Sequence, residues 1–264
     1  MSALDVLFRW VHVVAVVLWI GLAFFLTWIY APFAAELTPE TKRLVQTALL
    51  PRLLFFFRFA ALYALAFGLL LLFNLYYMTG DYFYRPLTEY AGSKPAIGIW
   101  MQPFFALLLG YGVYELLFAK LCKRWPALAA ILWATTATLF AGYMIEVLET
   151  SNRCALVHVA ALFGTAMVAN TWMNVWPSML RVITAHRENR EPDSTDLEFA
   201  AERGRHNVYM AVPAILLMLS VHISWLTGLR SWYLYLPIIF AISFAATNLL
   251  YRKSKALRDD QWIV

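Results

Sequence analysis

Residues 154–176 read CALVHVAALFGTAMVANTWMNVW, a stretch of 23 residues with one histidine and no Asp, Glu, Lys or Arg. A helix needs about 20 mostly apolar residues to cross a bilayer, and lipid offers the backbone no hydrogen bonds, so the stretch is predicted to be a helix. Six further stretches share this character. We therefore expect an all-α integral membrane protein, a bundle of seven transmembrane helices that forms a single membrane domain over residues 1–264, with helices at 11–33, 59–78, 97–119, 126–147, 154–176, 208–226 and 232–251.

The composition of the whole chain agrees with this expectation. Of its 264 residues, 62% are hydrophobic and 14% are charged, and the mean hydropathy is +0.64. Soluble domains carry about 45–50% apolar and about 25% charged residues, and one globular core cannot bury such an excess. The composition excludes a soluble enzyme, a nucleic-acid-binding protein and a disordered tail, and it makes membrane lipid the first expected partner.

The basic residues are distributed unevenly between the two sides of the predicted bundle. Sixteen of the 21 Lys and Arg residues fall on the side of the C-terminus, and five fall on the other side. Because cytoplasmic loops carry an excess of Lys and Arg, the N-terminus is predicted to be periplasmic and the C-terminus cytoplasmic, in a bacterial inner membrane. The first apolar stretch lacks a small-residue cleavage site, so we interpret it as a retained helix and not as a signal peptide.

Two connections between the predicted helices are long. The loop 79–96 contains four aromatic side chains between positions 82 and 90. It forms either an aromatic rim on the membrane surface or a docking surface for a partner protein. The segment 177–207 mixes acidic and basic residues and is predicted to form a solvated amphipathic helix.

Three of the five histidines share one predicted depth. His12, His158 and His222 lie within about 10 Å of the periplasmic boundary, because a helix rises about 1.5 Å per residue. Ionisable side chains inside a membrane are costly and usually functional, and imidazoles on facing helices can ligate a b-type haem. The sequence therefore predicts one haem b, with His12 and His158 as the preferred ligand pair and His222 as the third candidate. For each histidine, the alternative is a hydrogen bond to a neighbouring helix.

Three other charged residues have two interpretations each, and the remaining two histidines are not predicted to belong to a site. Arg9 and Arg153 flank the first two histidines and either hold haem propionates, since guanidinium binds carboxylate bidentately, or anchor the helices at the interface. Glu115 either pairs with Lys120 or relays protons. We expect His206 to cap the inner end of its helix and His186 to be solvated.

The cysteine content limits the possible cofactor chemistry. The chain has two cysteines, Cys122 and Cys154, which cannot form a disulfide framework or a zinc knuckle. It contains no Cys-x-x-Cys-His sequence, so the chain does not itself attach a c-type haem covalently.

Several motifs are distinctive enough to compare with a known family. Residues 9–15 read RWVHVVA and are followed by LWIG at 18–21, while later stretches read HVAALFGT at 158–165, RHNVYMAVP at 205–213 and MLSVH at 218–222. Together they resemble the N-terminal domain of membrane-bound urate oxidases, and this resemblance spans most of the chain. Copper-resistance-D-like membrane proteins are similar in a more general way.

The resemblance implies a membrane protein associated with urate oxidation that passes electrons to a cytochrome. The family has one more span than the number predicted here, followed by a periplasmic c-type cytochrome domain. It also carries a Gly-rich, His-containing stretch after the first helix, where this chain reads AAELTPET at 34–41.

Four functions are compatible with these features. The first is a redox protein that holds haem b near the periplasmic face and exchanges electrons with a periplasmic cytochrome c. The second is a urate-oxidising enzyme that uses a separate cytochrome as acceptor. The third is a cofactor-free accessory subunit of a larger respiratory or photosynthetic membrane complex. Copper handling is the fourth, because three imidazoles can bind copper.

Overall fold

A computed structural model describes residues 3–80, 82–86, 88–121, 123–228 and 231–256, with the side chains of Trp225 and Leu226 outside the description. The described residues are 85% helical and contain no β-strand. The all-helical class predicted from the sequence is therefore confirmed. Cys122 lies outside the described residues.

Eight helices of ten or more residues follow one another in the described part of the chain. They are α1 (Ala3–Glu36), α2 (Pro39–Ala48), α3 (Leu50–Met78), α4 (Ile97–Leu121), α5 (Pro126–Glu146), α6 (Asn152–Arg187), α7 (Ser194–Leu219) and α8 (Trp232–Ala256). Two short turns, Ser220–His222 and Ser224–Thr227, follow α7.

Six of these helices, α1, α3, α4, α5, α6 and α8, are long and apolar enough to cross a membrane. The chain is thus a multi-pass membrane protein, as the composition predicts. The six do not include α7, whose first half carries charged residues such as Glu202, Arg203 and Arg205. A helix with this charge density has too low a hydropathy to be recognised as a span by composition alone.

Helix α6 lies at the centre of the bundle. In its most apolar window 78% of the residues are buried, against 22–33% in the other five candidate spans. It packs against α3, α4, α5 and α7. Its small residues allow this close approach; Ala155, Ala160 and Ala166 are completely buried. On α4, Gly110 faces Leu162 so closely that a Cβ atom at position 110 would lie 2.3 Å from Leu162 Cδ1.

The helices run between two ends of the bundle. The loop end holds the loop 79–96 and the start of α6, and backbone hydrogen bonds fasten the two together, from Arg85 N to Glu149 O (3.1 Å) and from Ser151 N to Phe83 O (2.7 Å). The opposite end, here called the basic end, holds α2 and the connection 188–193. Half of the loop's aromatic residues, Phe83 and Tyr84, are buried in the protein, whereas Tyr82 and Tyr90 are exposed.

Two predicted segment boundaries are wrong. The segment 177–207 is not a separate amphipathic helix, because α6 continues to Arg187 and α7 already begins at Ser194. Its polar side chains join the two helices: Arg181 donates to Asp196, and the Asp193 carboxylate caps α7 by accepting from Thr195 N at 2.9 Å. The span predicted at 208–226 ends at Leu219 instead.

Four of the long helices contain a wider, π-helical turn. These turns are Phe25–Tyr30 in α1, Phe73–Met78 in α3, Leu116–Leu121 in α4 and Thr171–Val175 in α6. A π-helical turn shifts the direction of the side chains that follow, and such turns are frequent at functional sites. Three of the four carry buried polar side chains, among them Tyr30, Tyr76 and Thr171.

Candidate functional site

The most completely enclosed histidine is His158, on the second turn of α6. It is 0% exposed, and both of its ring nitrogens are hydrogen-bonded: Nδ1 to the Cys154 carbonyl oxygen at 2.8 Å and Nε2 to the Tyr77 hydroxyl at 2.5 Å. A carbonyl oxygen can only accept, so Nδ1 carries the proton and Nε2 is the acceptor. Tyr77 therefore donates its hydroxyl proton to the imidazole.

Tyr77 and its neighbour Tyr76 reach this position through the π-helical turn Phe73–Met78 at the end of α3. Both tyrosines are buried, and their ring centroids lie 5.6 and 5.9 Å from that of His158. In a regular helix consecutive side chains point about 100° apart. The widened turn allows both rings to enclose the same imidazole.

An aromatic path leads from His158 to the surface of the loop end. The centroid of Tyr76 lies 6.4 Å from that of Tyr82, and Tyr82 is 41% exposed. The guanidinium carbon of Arg153 lies 4.3 Å from the centroid of the Tyr82 ring, in a cation–π arrangement. We call His158, Tyr76, Tyr77, Tyr82 and Arg153 the loop-end cluster.

The two predicted site arginines meet at this cluster. Arg153 lies within hydrogen-bonding reach of the Tyr76 hydroxyl, and Arg9 is near enough for its charge to act on the same group. The Nε atoms of both side chains are buried and have no hydrogen-bond partner among the described residues. Buried donors are normally paired, so two guanidinium groups beside one tyrosine form a place where an anion is favoured.

His12 has a different environment from His158. Its Nδ1 atom donates to the Ala64 carbonyl oxygen at 2.7 Å, which links α1 to α3. The ring fills the space that Gly68 leaves open, since a Cβ atom at position 68 would lie 2.8 Å from His12 Cε1. This contact is the hydrogen bond to a neighbouring helix that the sequence offered as the alternative to ligation.

His222 lies in the short turn after α7 and is exposed. Among the described residues, no group of three or more His, Cys, Asp or Glu side chains is placed to hold a metal ion. The three histidines predicted at one depth are therefore not assembled into a metal centre within the described ranges.

A b-type haem with two histidine ligands needs an available Nε2 atom on each imidazole, with the macrocycle between them. Nε2 of His158 already accepts from Tyr77, and the ring is enclosed by Tyr76 and Tyr77. The geometry around His158 does not fit haem ligation unless Tyr77 moves away. Haem binding by His12, His158 and His222 stays a prediction.

A second polar cluster lies on α6 toward the basic end. Arg203 of α7 donates from Nη2 to Glu115 Oε1 of α4 at 2.9 Å, and its side chain is 3% exposed. Three asparagines continue the network. Asn174 donates to Glu115 and Asn170, Asn170 donates to Asn207, and Asn207 donates to Thr171. We call Glu115, Arg203, Asn170, Asn174 and Asn207 the basic-end cluster.

Three predictions for residues toward the basic end are wrong. Glu115 pairs with Arg203 and not with Lys120, because α4 faces the charged half of α7 at this level. His206 does not cap a helix end, since α7 extends twelve residues upstream of it; its Nδ1 shares a hydrogen bond with the Tyr114 hydroxyl at 2.8 Å. His186 is buried rather than solvated, and its Nε2 lies 2.6 Å from Gln46 Oε1.

The sequence model of one protein family, described as urate oxidase N-terminal, matches residues 37–264. The chain belongs to the urate oxidase N-terminal family. No curated protein and no solved structure matches the chain.

The part of the chain matched to the urate oxidase N-terminal family contains both polar clusters. His158, Tyr77 and Arg153 lie within the matched residues 37–264, as do Glu115 and Arg203, whereas Arg9 and His12 of α1 lie before them. The sequence resemblance to this family is thus confirmed.

The positions of the histidines in the sequence do not predict two features of this family member. The role of Tyr76 and Tyr77 depends on a π-helical turn that no sequence motif predicts. The asparagines of the basic-end cluster carry a usable signal, because Asn170 and Asn174 are four residues apart and lie on one helix face. Uncharged polar residues at that spacing in an apolar helix indicate a polar contact with a neighbouring helix.

Proposed function

We propose that this protein is a membrane oxidoreductase that binds a planar anion of the urate class at the loop end and passes electrons to a c-type cytochrome. The family membership supports the substrate class, and the loop-end cluster supports the chemistry. The single observation that carries the proposal is the 2.5 Å hydrogen bond from the Tyr77 hydroxyl to Nε2 of the buried His158.

That hydrogen bond suits a coupled transfer of one electron and one proton. The substrate anion gives one electron to oxidised cytochrome c and loses one proton. The Tyr77 hydroxyl takes up this proton as it passes its own proton to His158 Nε2, and His158 returns the proton through Tyr77 once the oxidised substrate has left. Each round removes one electron and one proton from the substrate, and two rounds with two molecules of cytochrome c complete a two-electron oxidation.

The positions of the arginines support binding of an anion beside this pair. Arg9 and Arg153 lie near Tyr76 with unpaired, buried Nε atoms. Guanidinium groups form strong charge-assisted hydrogen bonds with planar anions, and aromatic faces provide stacking surfaces for flat heterocycles. We assign substrate binding to Arg9, Arg153 and Tyr82 in place of the haem propionates considered from the sequence.

The aromatic path supports an acceptor outside the bundle. Successive ring centroids from His158 to Tyr76 and from Tyr76 to Tyr82 are 5.9 and 6.4 Å apart. Tyr82 is exposed at the loop end, where a periplasmic cytochrome c would dock on the proposed topology. A b-type haem is not required for these steps, and an optical difference spectrum of the purified protein tests whether one is present.

We further propose that α7 is a seventh span, that the N-terminus is periplasmic and that the membrane is the bacterial inner membrane. The excess of Lys and Arg on the side of the C-terminus supports this orientation. C-terminal fusions test it in a bacterial host. A fused green fluorescent protein is expected to fluoresce and a fused alkaline phosphatase to be inactive; the reverse pattern contradicts the orientation.

The activity test uses purified protein in lipid nanodiscs with urate and oxidised cytochrome c, and it follows the absorbance of the reduced cytochrome. Tyr77→Phe is expected to lower kcat by about 100-fold, the usual size of a lost proton-transfer partner. Tyr63→Phe, at an exposed tyrosine of the same helix, serves as the matched control and is expected to retain full activity.

Two outcomes contradict the proposed function. Full activity of Tyr77→Phe removes the tyrosine–histidine pair from the mechanism. Absence of urate-dependent reduction in the wild-type protein, together with its co-purification at fixed stoichiometry with other membrane subunits, favours the accessory-subunit function instead.

A further inference from the structure

We propose that the basic end holds a second ligand site, which binds the ring of a membrane quinone. A cavity of about 530 Å³ lies there among α1, α2, α3, α6, α7 and α8. Its volume falls within the range of about 300–1,000 Å³ that is usual for small-molecule sites. Most of the wall is apolar and includes Leu26, Leu50, Leu54, Phe57 and Met179.

The strongest indication of a ligand is the hydroxyl group of Tyr30. This tyrosine lines the cavity and is 8% exposed, yet its hydroxyl oxygen is buried and has no hydrogen-bond partner. Leaving a buried polar group unpaired costs about 1–3 kcal/mol, so such groups are rare in native proteins. A ligand that brings a hydrogen-bond acceptor into the cavity removes this cost.

A second polar wall lies next to Tyr30. Gln46 of α2 is buried, lines the same cavity and lies within hydrogen-bonding reach of the Tyr30 hydroxyl, but the two groups lack the distance and alignment of a regular hydrogen bond. Its Oε1 atom lies 2.6 Å from Nε2 of His186 on α6. Since the imidazole donates to this oxygen, the amide nitrogen of Gln46 is directed away from His186 and is available as a donor.

One part of the cavity wall is charged. Glu36, Arg205 and Lys255 line the cavity together with the apolar residues. The site therefore suits an amphiphile, with a flat ring that accepts hydrogen bonds and an apolar tail. A quinone has two ring carbonyl oxygens and an isoprenoid tail, whereas a phospholipid acyl chain offers no acceptor to Tyr30.

The location of Tyr30 on the π-helical turn Phe25–Tyr30 adds independent support. The same kind of turn places Tyr76 and Tyr77 in the loop-end cluster, and such turns are common where a helix carries a functional side chain. The inference concerns binding only. It does not depend on the redox chemistry proposed at the loop end, so either can fail without the other.

The test uses an azido derivative of decylubiquinone as a photoreactive probe of the full-length protein in nanodiscs. The wild-type protein is expected to be labelled saturably near Tyr30, and unlabelled decylubiquinone is expected to compete. Tyr30→Phe keeps the ring and removes the hydroxyl, so the half-saturating concentration should rise about fivefold to tenfold. Tyr63→Phe, at an exposed tyrosine on α3, should leave it unchanged.

A second variant fills the cavity instead. Gly204 lines it, and a Cβ atom there meets no atom within 4 Å, so Gly204→Leu is expected to fold and to abolish labelling. Gly112→Leu is the matched control, because Gly112 also has no atom within 4 Å and lies outside the cavity; it should be labelled like the wild type.

Three results overturn the proposal. The first is labelling that is not saturable or is equal in all variants. The second is unchanged affinity in both Tyr30→Phe and Gly204→Leu while their unfolding temperatures match the wild type. The third is a stoichiometric phospholipid, identified by mass spectrometry of the delipidated protein, that decylubiquinone does not displace and that Gly204→Leu lacks.

Discussion

The two polar clusters on α6 differ in the kind of interaction that holds them. The loop-end cluster has at its centre a neutral tyrosine–histidine pair enclosed by aromatic rings, and nearby arginine nitrogens lack partners. The basic-end cluster is built on an ion pair and a ladder of asparagine side chains that joins α4, α6 and α7. Arg203 at the basic end also has two buried nitrogens without partners among the described residues, Nε and Nη1. The clusters therefore differ in two other respects: the first reaches the surface through the exposed Tyr82, whereas the second joins three helices.

The largest expected effect is on stability, at the basic end. Arg203→Leu leaves Glu115 without its partner inside the bundle, which should lower the free energy of unfolding by about 2–4 kcal/mol, because removing one member of a buried pair is strongly destabilising. The unfolding temperature in detergent measures this. Arg85→Leu breaks an exposed pair with Glu146 and should cost less than about 1 kcal/mol. Equal shifts in both variants would show that the basic-end cluster is not structural.

The next effect is on substrate binding, at the loop end. Arg153→Gln should raise KM for urate about tenfold, with kcat nearly unchanged, since it removes a charge-assisted hydrogen bond to the anion that is made equally in the transition state. Steady-state cytochrome reduction separates the two constants. Arg187→Gln, at the far end of α6, is the control. A fall in kcat at constant KM in Arg153→Gln would place Arg153 in the redox step and not in binding.

A smaller effect is expected at the contact between α1 and α3. Gly68→Ala places a methyl group 2.8 Å from His12 Cε1, so the ring must shift and weaken its hydrogen bond to Ala64. The expected loss of stability is about 1–2 kcal/mol. Gly21→Ala is the matched control, because a Cβ atom there meets nothing within 4 Å; it should be neutral or slightly stabilising. A stable Gly68→Ala variant would argue that His12 does not hold the two helices together.

The smallest effect is a dependence of stability on pH in the connection between α6 and α7. Hydrogen bonds from Arg181 lower the pKa of Asp196 below its usual value. A carboxylate with a lowered folded-state pKa stabilises the fold above its unfolded pKa, and this contribution disappears as the pH falls through the folded pKa. Because the Arg181 side chain is 58% exposed, the difference in stability between wild type and Asp196→Asn should be only a few tenths of a kcal/mol at pH 7 and should shrink at pH 3. A difference that grows on acidification contradicts the assignment.

Much of the fold follows from hydropathy alone. Runs of about 20 apolar residues identify six of the helices, and the backbone's need for hydrogen bonds in lipid makes them helical. Hydropathy places the boundaries less well. The polar ends of α6 and α7 are helical because they pack on each other and on α2, through contacts such as His186 with Gln46. The mean hydropathy of a sequence window contains no information on such tertiary contacts.

The candidate site was predictable only in part. Burial of His158 and the presence of Arg153 near it follow from their places in an apolar helix, and both belong to the loop-end cluster. The partner of His158 was not predictable, since Tyr77 lies 81 residues away in the chain and reaches it through a π-helical turn. The prediction of one depth for three histidines assumed that the helix of His222 continues regularly to residue 226. That assumption is wrong, because α7 ends at Leu219, before His222.

The central claim, that the Tyr77–His158 pair takes up the proton of the substrate, is tested most directly by the solvent isotope effect on kcat. Protein in nanodiscs is assayed with urate and oxidised cytochrome c in H2O and in D2O, and Tyr77→Phe is compared with the wild type and Tyr63→Phe. We expect kcat of the wild type and of Tyr63→Phe to fall in D2O, and kcat of Tyr77→Phe in H2O to be about 100-fold below that of the wild type. A wild-type kcat that is equal in the two solvents, or a Tyr77→Phe variant as fast as the wild type, would contradict the account.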